Sequence, residues 1–187
     1  MVEDLKKAIS VLHEGGVILY PTDTIWGLGC DATNEKAVQR IFDIKKRLDT
    51  KSMLVLLDSP SKIQGYVSEV PDMAWDLIEL ADKPLTIIYP EAKNLAKSLI
   101  SDERSIGIRI TSEKFSKSLC ERFKKPIVST SANISGEPSP KNFAEISIEI
   151  KNTVDYIVRF RQEEELEARP SSIIKLGKGN LIKIIRE

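Results

Sequence analysis

The chain has 187 residues, enough for one domain over 1–187, and its 41% hydrophobic and 30% charged residues are ordinary for a soluble globular protein. Lys plus Arg and Asp plus Glu both total 28, so the formal net charge is zero. That balance argues against a protein that coats nucleic acid by bulk charge, though it permits a local basic cleft.

Leu5, Ala8, Ile9 and Leu12 recur at helical spacing and predict an amphipathic first helix, ended by Gly15 and Gly16. An apolar strand over 17–20 stops at Pro21, and a loop is expected over 22–31. A helix over 34–48 turns Val38, Ile41 and Phe42 inward, and a strand follows at 53–57. Further on, helices are expected at 72–80 and 95–100, with strands at 84–89 and 105–110. Phe115, Leu119 and Phe123 mark another amphipathic helix, followed by a strand at 126–129 and a helix at 143–150. Strands at 154–160, 172–176 and 181–185 close the sequence, and residues 177–180 read as a hairpin turn between the last two. Alternating helices and strands imply an α/β layered architecture. The close succession of the last three strands predicts antiparallel pairing within a mixed sheet. The acidic run 162–167 reads as a solvated loop.

No apolar run approaches the ~20 residues that span a bilayer. The opening Met1-Val2-Glu3-Asp4 is acidic without a long apolar core, so no signal peptide is expected and a cytoplasmic location follows. Cys30 and Cys120 lie far apart and are expected to be reduced thiols. One histidine, His13 on the first helix, argues against both a zinc site and a Ser-His-acid triad.

Three separated segments are rich in groups that bind anions and polar ligands. They are residues 20–29, with Thr22, Asp23 and Thr24; the cations Lys45, Lys46, Arg47 and Lys51; and residues 129–136, with Ser129, Thr130, Ser131, Asn133 and Ser135. Each has a bland reading: a self-satisfied polar turn for the hydroxyls, and dipole compensation at a helix end for the cations. Together they suit chemistry done by positioning and charge neutralisation. Gly27, Gly29 and Asp49 loosely mimic a dinucleotide fingerprint, but Pro21 to Trp26 separate the glycines from the strand, so the glycines are read as points of close backbone approach. A P-loop pattern is absent from the sequence.

The order and spacing of five elements resemble the YrdC-like family of threonylcarbamoyl-AMP synthases. They are Tyr20-Pro21-Thr22-Asp23-Thr24 with Gly27-Leu28-Gly29-Cys30-Asp31-Ala32; Lys45-Lys46-Arg47; Pro84-Leu85-Thr86; Gly107-Ile108-Arg109; and Ser129-Thr130-Ser131-Ala132-Asn133 through Ser139-Pro140. The resemblance covers nearly the whole chain and suits the family's short form. It implies an open, twisted mixed sheet with helices on its faces and a large concave cleft. The implied reaction joins L-threonine, bicarbonate or CO2, and ATP into threonylcarbamoyl-AMP and pyrophosphate, for modification of tRNA by a transferase complex.

Carried over residue by residue, Thr24, Arg109, Ser129 and Ser172 would bind threonine, while Arg47, Lys51, Ser105, Ser131, Ser139 and Arg186 would bind ATP. Arg47 and Lys51 would stabilise charge, with no protein nucleophile. Mg2+ would accompany ATP without protein ligands. The chain departs from the family pattern at Leu48, at Lys51-Ser52, at Asp82-Lys83, and at Leu56, where some members carry histidine. Two other readings stand beside this one: an RNA-binding module of the same fold, and a paralogue acting on another carbamoyl substrate.

Overall fold

In the computed structural model, which describes residues 1–46, 53–164, 170–177 and 181–187, the apolar runs become a mixed sheet. Among the described residues it has nine strands in the order β7-β1-β2-β6-β3-β5-β4-β8-β9. The elements are α1 (Val2–His13), β1 (Ile18–Tyr20), β2 (Gly27–Gly29), α2 (Glu35–Ile44), β3 (Leu54–Leu57), α3 (Met73–Leu80) and β4 (Leu85–Tyr89). Then follow β5 (Ile106–Ile110), α4 (Lys114–Phe123), β6 (Ile127–Ser131), α5 (Ile148–Thr153), β7 (Tyr156–Ile157), β8 (Ser172–Leu176) and β9 (Ile182–Arg186).

The helices form where their ends are capped and one face is apolar. Asn34 caps α2, its Oδ1 accepting from the Lys36 and Ala37 amides at 3.1 and 3.2 Å. Glu113 caps α4 by accepting from the Phe115 and Ser116 amides. The stripes expected from spacing are the buried ones: Leu5, Ala8 and Leu12 on α1; Val38, Ile41 and Phe42 on α2; Phe115, Leu119 and Phe123 on α4. α1 and α4 pack on each other and reach the sheet through β1 and β3. His13 is exposed, with its ring 4.9 Å from that of Phe123. Cys30 and Cys120 are free and buried, and burial pushes both thiols upward, away from reactivity.

The structure corrects the expected topology in three places. Residues 27–29, expected as loop, are strand β2, antiparallel to both β1 and β6. Two glycines hide it from a propensity reading, and the fold demands them. A Cβ at Gly29 would lie 2.5 Å from Tyr20 Cε1 and 3.0 Å from the Val128 carbonyl oxygen. The last three strands do not form one antiparallel run. β7 pairs parallel to β1 at one end of the sheet, and β8 pairs parallel to β4 near the other; only β8 and β9 are antiparallel neighbours. Finally, the helix expected at 95–100 is a short 3₁₀ turn (Lys97–Leu99), and the one expected at 143–150 begins at Ile148, behind a Ser147 cap. Much of the turn expected at 177–180 and of the acidic run 162–167 lies outside the described residues.

Asp155 shows how the edge strand β7 is fixed to the rest. Its Oδ2 accepts from the Val17 amide at 2.7 Å and from Arg40 Nη1 at 2.6 Å, with Arg40 Nη2 on Oδ1 at 3.2 Å. Gly16 permits this approach, since a Cβ there would sit 2.9 Å from Asp155 Oδ2. Burial works to raise the Asp155 carboxyl, but the Arg40 and Val17 bonds outweigh it and hold it below its ordinary value. A depressed carboxylate stabilises the fold above its unfolded-state value, near pH 4, and loses that contribution as pH falls through the folded value. Asp155→Ala should cost about 1 to 2 kcal/mol in urea denaturation at pH 7, discounted for its partial exposure. The gap from the parent should narrow as pH falls from 5 to about 3. A gap that stays constant with pH would mean that the ionised carboxylate is not what holds the strand.

Candidate functional site

The site is built on the middle of the sheet. β2, β6, β3, β5, β4 and β8 lie side by side, and loops and strand ends from them wall a cavity of about 190 Å³. Thr24, Ile25 and Gly27 come from the β1–β2 connection and β2, Met53 and Leu54 from the entry to β3, and Arg109 from β5. Ser129, Thr130 and Ser131 come from β6, Ser139 from the loop beyond it, Ser171 and Ile173 from the start of β8, and Arg186 from the end of β9.

The Thr22–Thr24 turn holds itself in shape. The Thr22 hydroxyl donates to the Ile25 carbonyl at 2.8 Å, accepts from the Thr24 amide at 3.1 Å, and lies 3.1 Å from the Thr24 hydroxyl. From outside, Arg161 Nη1 donates to the Thr22 carbonyl at 3.1 Å. The outcome is a Thr24 hydroxyl fixed against the cavity and 8% exposed.

Arg109 is the most deeply placed cation of the wall. Its side chain is 3% exposed and that of Asp23 is 6% exposed, with Nη2 3.1 Å from Asp23 Oδ1. The contact is an ion pair out of line for a hydrogen bond, and Asp23 Oδ1 and Arg109 Nε both lack hydrogen-bond partners in the structure. Burial lowers the Arg109 guanidinium from its ordinary value and raises the Asp23 carboxyl, while each partner's charge acts to keep the other ionised. A guanidinium stays charged under such conditions. The cleft wall therefore contains a buried cation, the kind of group that pairs with a ligand carboxylate.

Lys45, part of the basic segment and with its stem expected on the inner side of the helix, has a task of its own. It is 2% exposed, and its Nζ donates to the Ser131 and Asn133 carbonyls at 2.6 and 2.7 Å and lies 3.3 Å from Asn133 Oδ1. The Ser135 amide in turn donates to the Lys45 carbonyl at 2.9 Å. Lys45 thus clamps the hydroxyl-rich loop from the end of α2.

Of the ten residues proposed from sequence, the structure brings Thr24, Arg109, Ser129, Ser131, Ser139 and Arg186 to one cavity. Arg47 and Lys51 lie outside the described residues. Ser105 does not line this cavity: it precedes β5, four residues and so roughly 13 Å along the strand from Arg109, with its hydroxyl 2.7 Å from that of Ser101. Ser172 does not line it either. Side chains alternate along a strand, and it is Ser171 and Ile173 that face the cleft, with the Ser171 hydroxyl 2.8 Å from that of Thr86 and its carbonyl accepting from Arg186 Nε at 2.9 Å. Leu56 is buried in β3, in register with Arg109.

The model of the Sua5/YciO/YrdC family, described as telomere recombination, matches residues 10–187. The chain is 37% identical to a threonylcarbamoyl-AMP synthase of Pseudoalteromonas translucida (strain TAC 125), over 81% of this chain and 82% of the relative. Among solved structures it is similar to E. coli YciO, with a TM-score of 0.84 and 26% identity, over 98% of this chain and 88% of that one. It is likewise similar to P. abyssi Sua5 complexed with L-threonine, with a TM-score of 0.81 and 26% identity, over 92% of this chain but 50% of the Sua5 chain, so it spans about half the length of that protein. The motif order, the sheet and the match over nearly all of its length agree: the chain belongs to the Sua5/YciO/YrdC family.

Proposed function

We infer that this protein is an L-threonylcarbamoyladenylate synthase, forming threonylcarbamoyl-AMP and pyrophosphate from L-threonine, bicarbonate or CO2, and ATP. The single observation that supports this best is the buried, incompletely satisfied Arg109, set in a cleft with hydroxyls from Thr24, Ser129 and Ser131. It fits a small amino acid gripped by its carboxylate. Arg186 at the rim, together with Arg47 and Lys51 from the segment between Lys46 and Met53, supplies cations for a triphosphate.

In this reading the threonine amine attacks CO2 and loses a proton to solvent. An oxygen of the resulting N-carboxylate then attacks the α-phosphorus of ATP as the bond to pyrophosphate breaks. The protein's part is to hold two anions within reach of each other. Positioning of this quality is worth roughly 7 to 11 kcal/mol of barrier, so no nucleophilic side chain is required. Mg2+ would neutralise phosphate charge when bound. Among the described residues no group of three or more His, Cys, Asp or Glu is arranged to hold a metal. The product would pass to a tRNA-modifying transferase. Among the described residues no helix is long and apolar enough to cross a membrane.

The test is pyrophosphate release from ATP. Release should require both L-threonine and bicarbonate, and serine should replace threonine better than valine does. A site that reads a hydroxyl rejects its isostere strongly, whereas one methyl is worth only ~1 to 3 kcal/mol. Salt-sensitive RNA binding without threonine-dependent release would point instead to an RNA-binding module, and release with another carbamoyl substrate to a paralogue.

A further inference from the structure

The turn after β7 carries a residue in an unusual backbone state. Arg161 has a φ of 70°, in the left-handed region that glycine enters freely and other residues enter rarely. Glycine would complete such a turn with less backbone strain, so the arginine points to a task for its side chain.

Its contacts show what that task is. Arg161 lines an open groove beside β7 and not the cleft, yet its Nη1 donates to the Thr22 carbonyl at 3.1 Å. Two carboxylates hold the guanidinium in turn. Nε donates to Glu164 Oε2 at 2.7 Å, and Nη1 lies 3.4 Å from Glu113 Oε1. Glu113 is a firm anchor, because its side chain is 10% exposed and already caps α4. One residue earlier, the Phe160 ring stacks on Phe115 of α4 with centroids 6.1 Å apart. The turn therefore sits on the start of α4, and Arg161 reaches from it to the Thr22–Thr24 turn. The hydroxyl bonds inside the Thr22–Thr24 turn are local, whereas the Arg161 bond comes from 139 residues away in sequence.

We propose that Arg161 is a positioning residue: it holds the Thr22–Thr24 turn against the start of α4 and so sets where the Thr24 hydroxyl meets a ligand in the cleft. The identity of that ligand as L-threonine rests on the synthase reading. Without the bond the turn keeps its own hydroxyl contacts but gains freedom to shift, and a ligand that needs Thr24 in place binds less tightly.

Arg161→Gly tests this, because glycine suits the backbone and removes only the side chain. Amide hydrogen exchange should quicken about tenfold at Thr24, whose N–H is bonded to the Thr22 hydroxyl at 3.1 Å, and keep the parent rate at Val128 and Ile108 in the sheet. Relief of the backbone offsets the lost bond, so Tm should stay close to the parent's. KM for L-threonine should rise about tenfold with KM for ATP unchanged. Arg161→Lys keeps a charged donor between the two carboxylates and should recover most of both losses. Arg159→Ala, an exposed change in the same segment, should alter neither readout. If Arg161→Gly does not fold, Glu164→Gln, which loosens the anchor from a side chain 41% exposed, should move Thr24 exchange and threonine KM the same way by less. Thr24 exchange at the parent rate, exchange that rises equally at Val128 and Ile108, or a threonine KM unchanged while Thr24 loosens would overturn the proposal. If the parent shows no threonine-dependent pyrophosphate release, the synthase reading fails by itself, and exchange at Thr24 alone decides whether Arg161 holds the turn.

Discussion

Arg109→Lys should lower kcat/KM for L-threonine by about tenfold to a hundredfold, with most of the loss in KM for threonine and little in KM for ATP. The substitution keeps a cation beside Asp23, 3.1 Å from the present guanidinium, and so avoids leaving a buried carboxylate alone. What it removes is the fork, including the Nε–H that has no partner in the protein. A bond from a charged donor to a carboxylate contributes ~1.5 to 3 kcal/mol, and loss of one such bond gives the range stated. Arg109→Ala is the less informative variant, because orphaning buried Asp23 costs about 3 to 5 kcal/mol of stability and mixes folding with binding. Steady-state kinetics with each substrate varied in turn decide the matter. If Arg109→Lys leaves the threonine KM unchanged, Arg109 does not hold the carboxylate. If the ATP KM rises instead, the residue belongs to the nucleotide side.

The parts of the site legible in the sequence were those in which a residue's chemistry and its strand position agree. Thr24, Ser129 and Ser131 follow or end apolar strands, so a sheet places them near one another whatever its strand order. Arg109 sits inside a strand whose other residues are apolar, which marks it as a buried cation in need of a partner. The sequence was silent where a single residue of phase matters. Ser171 and Ser172 are chemically identical neighbours, and only the pairing of β8 with β4 decides which one faces the cleft. β2 escapes a sequence reading because its glycines answer to close approaches made by the fold, Gly27 to the Thr130 carbonyl and Gly29 to the Tyr20 ring and the Val128 carbonyl. β7 and β8 were assigned as sequential neighbours, whereas the sheet separates them to opposite flanks. Asp23 read as one polar residue in a polar turn; nothing local in the sequence says that its partner is Arg109.

Lys45→Met should destabilise the protein by about 2 to 5 kcal/mol and reduce threonine-dependent turnover even where the variant is still folded. The methionine keeps the buried stem, so packing changes little. What disappears is the ammonium that donates to the Ser131 carbonyl at 2.6 Å, the Asn133 carbonyl at 2.7 Å and Asn133 Oδ1 at 3.3 Å. These groups lie in a part-buried setting where water replaces the lost donor poorly. Relaxation of the loop to find new donors would move Ser131 and the chain that follows it toward Ser139, so the nucleotide side of the cleft should suffer more than Thr24 and Arg109 do. The adjacent Lys46→Met is the control. Its ammonium is 64% exposed and meets Glu149 on the surface at 2.8 Å, so its loss should leave both stability and turnover close to the parent's. Urea denaturation and kinetics on the two variants separate a clamp from a mere charge near the site. Equal effects from Lys45 and Lys46 would mean that the basic segment acts through its summed field, and that the loop holds its shape without the buried amine.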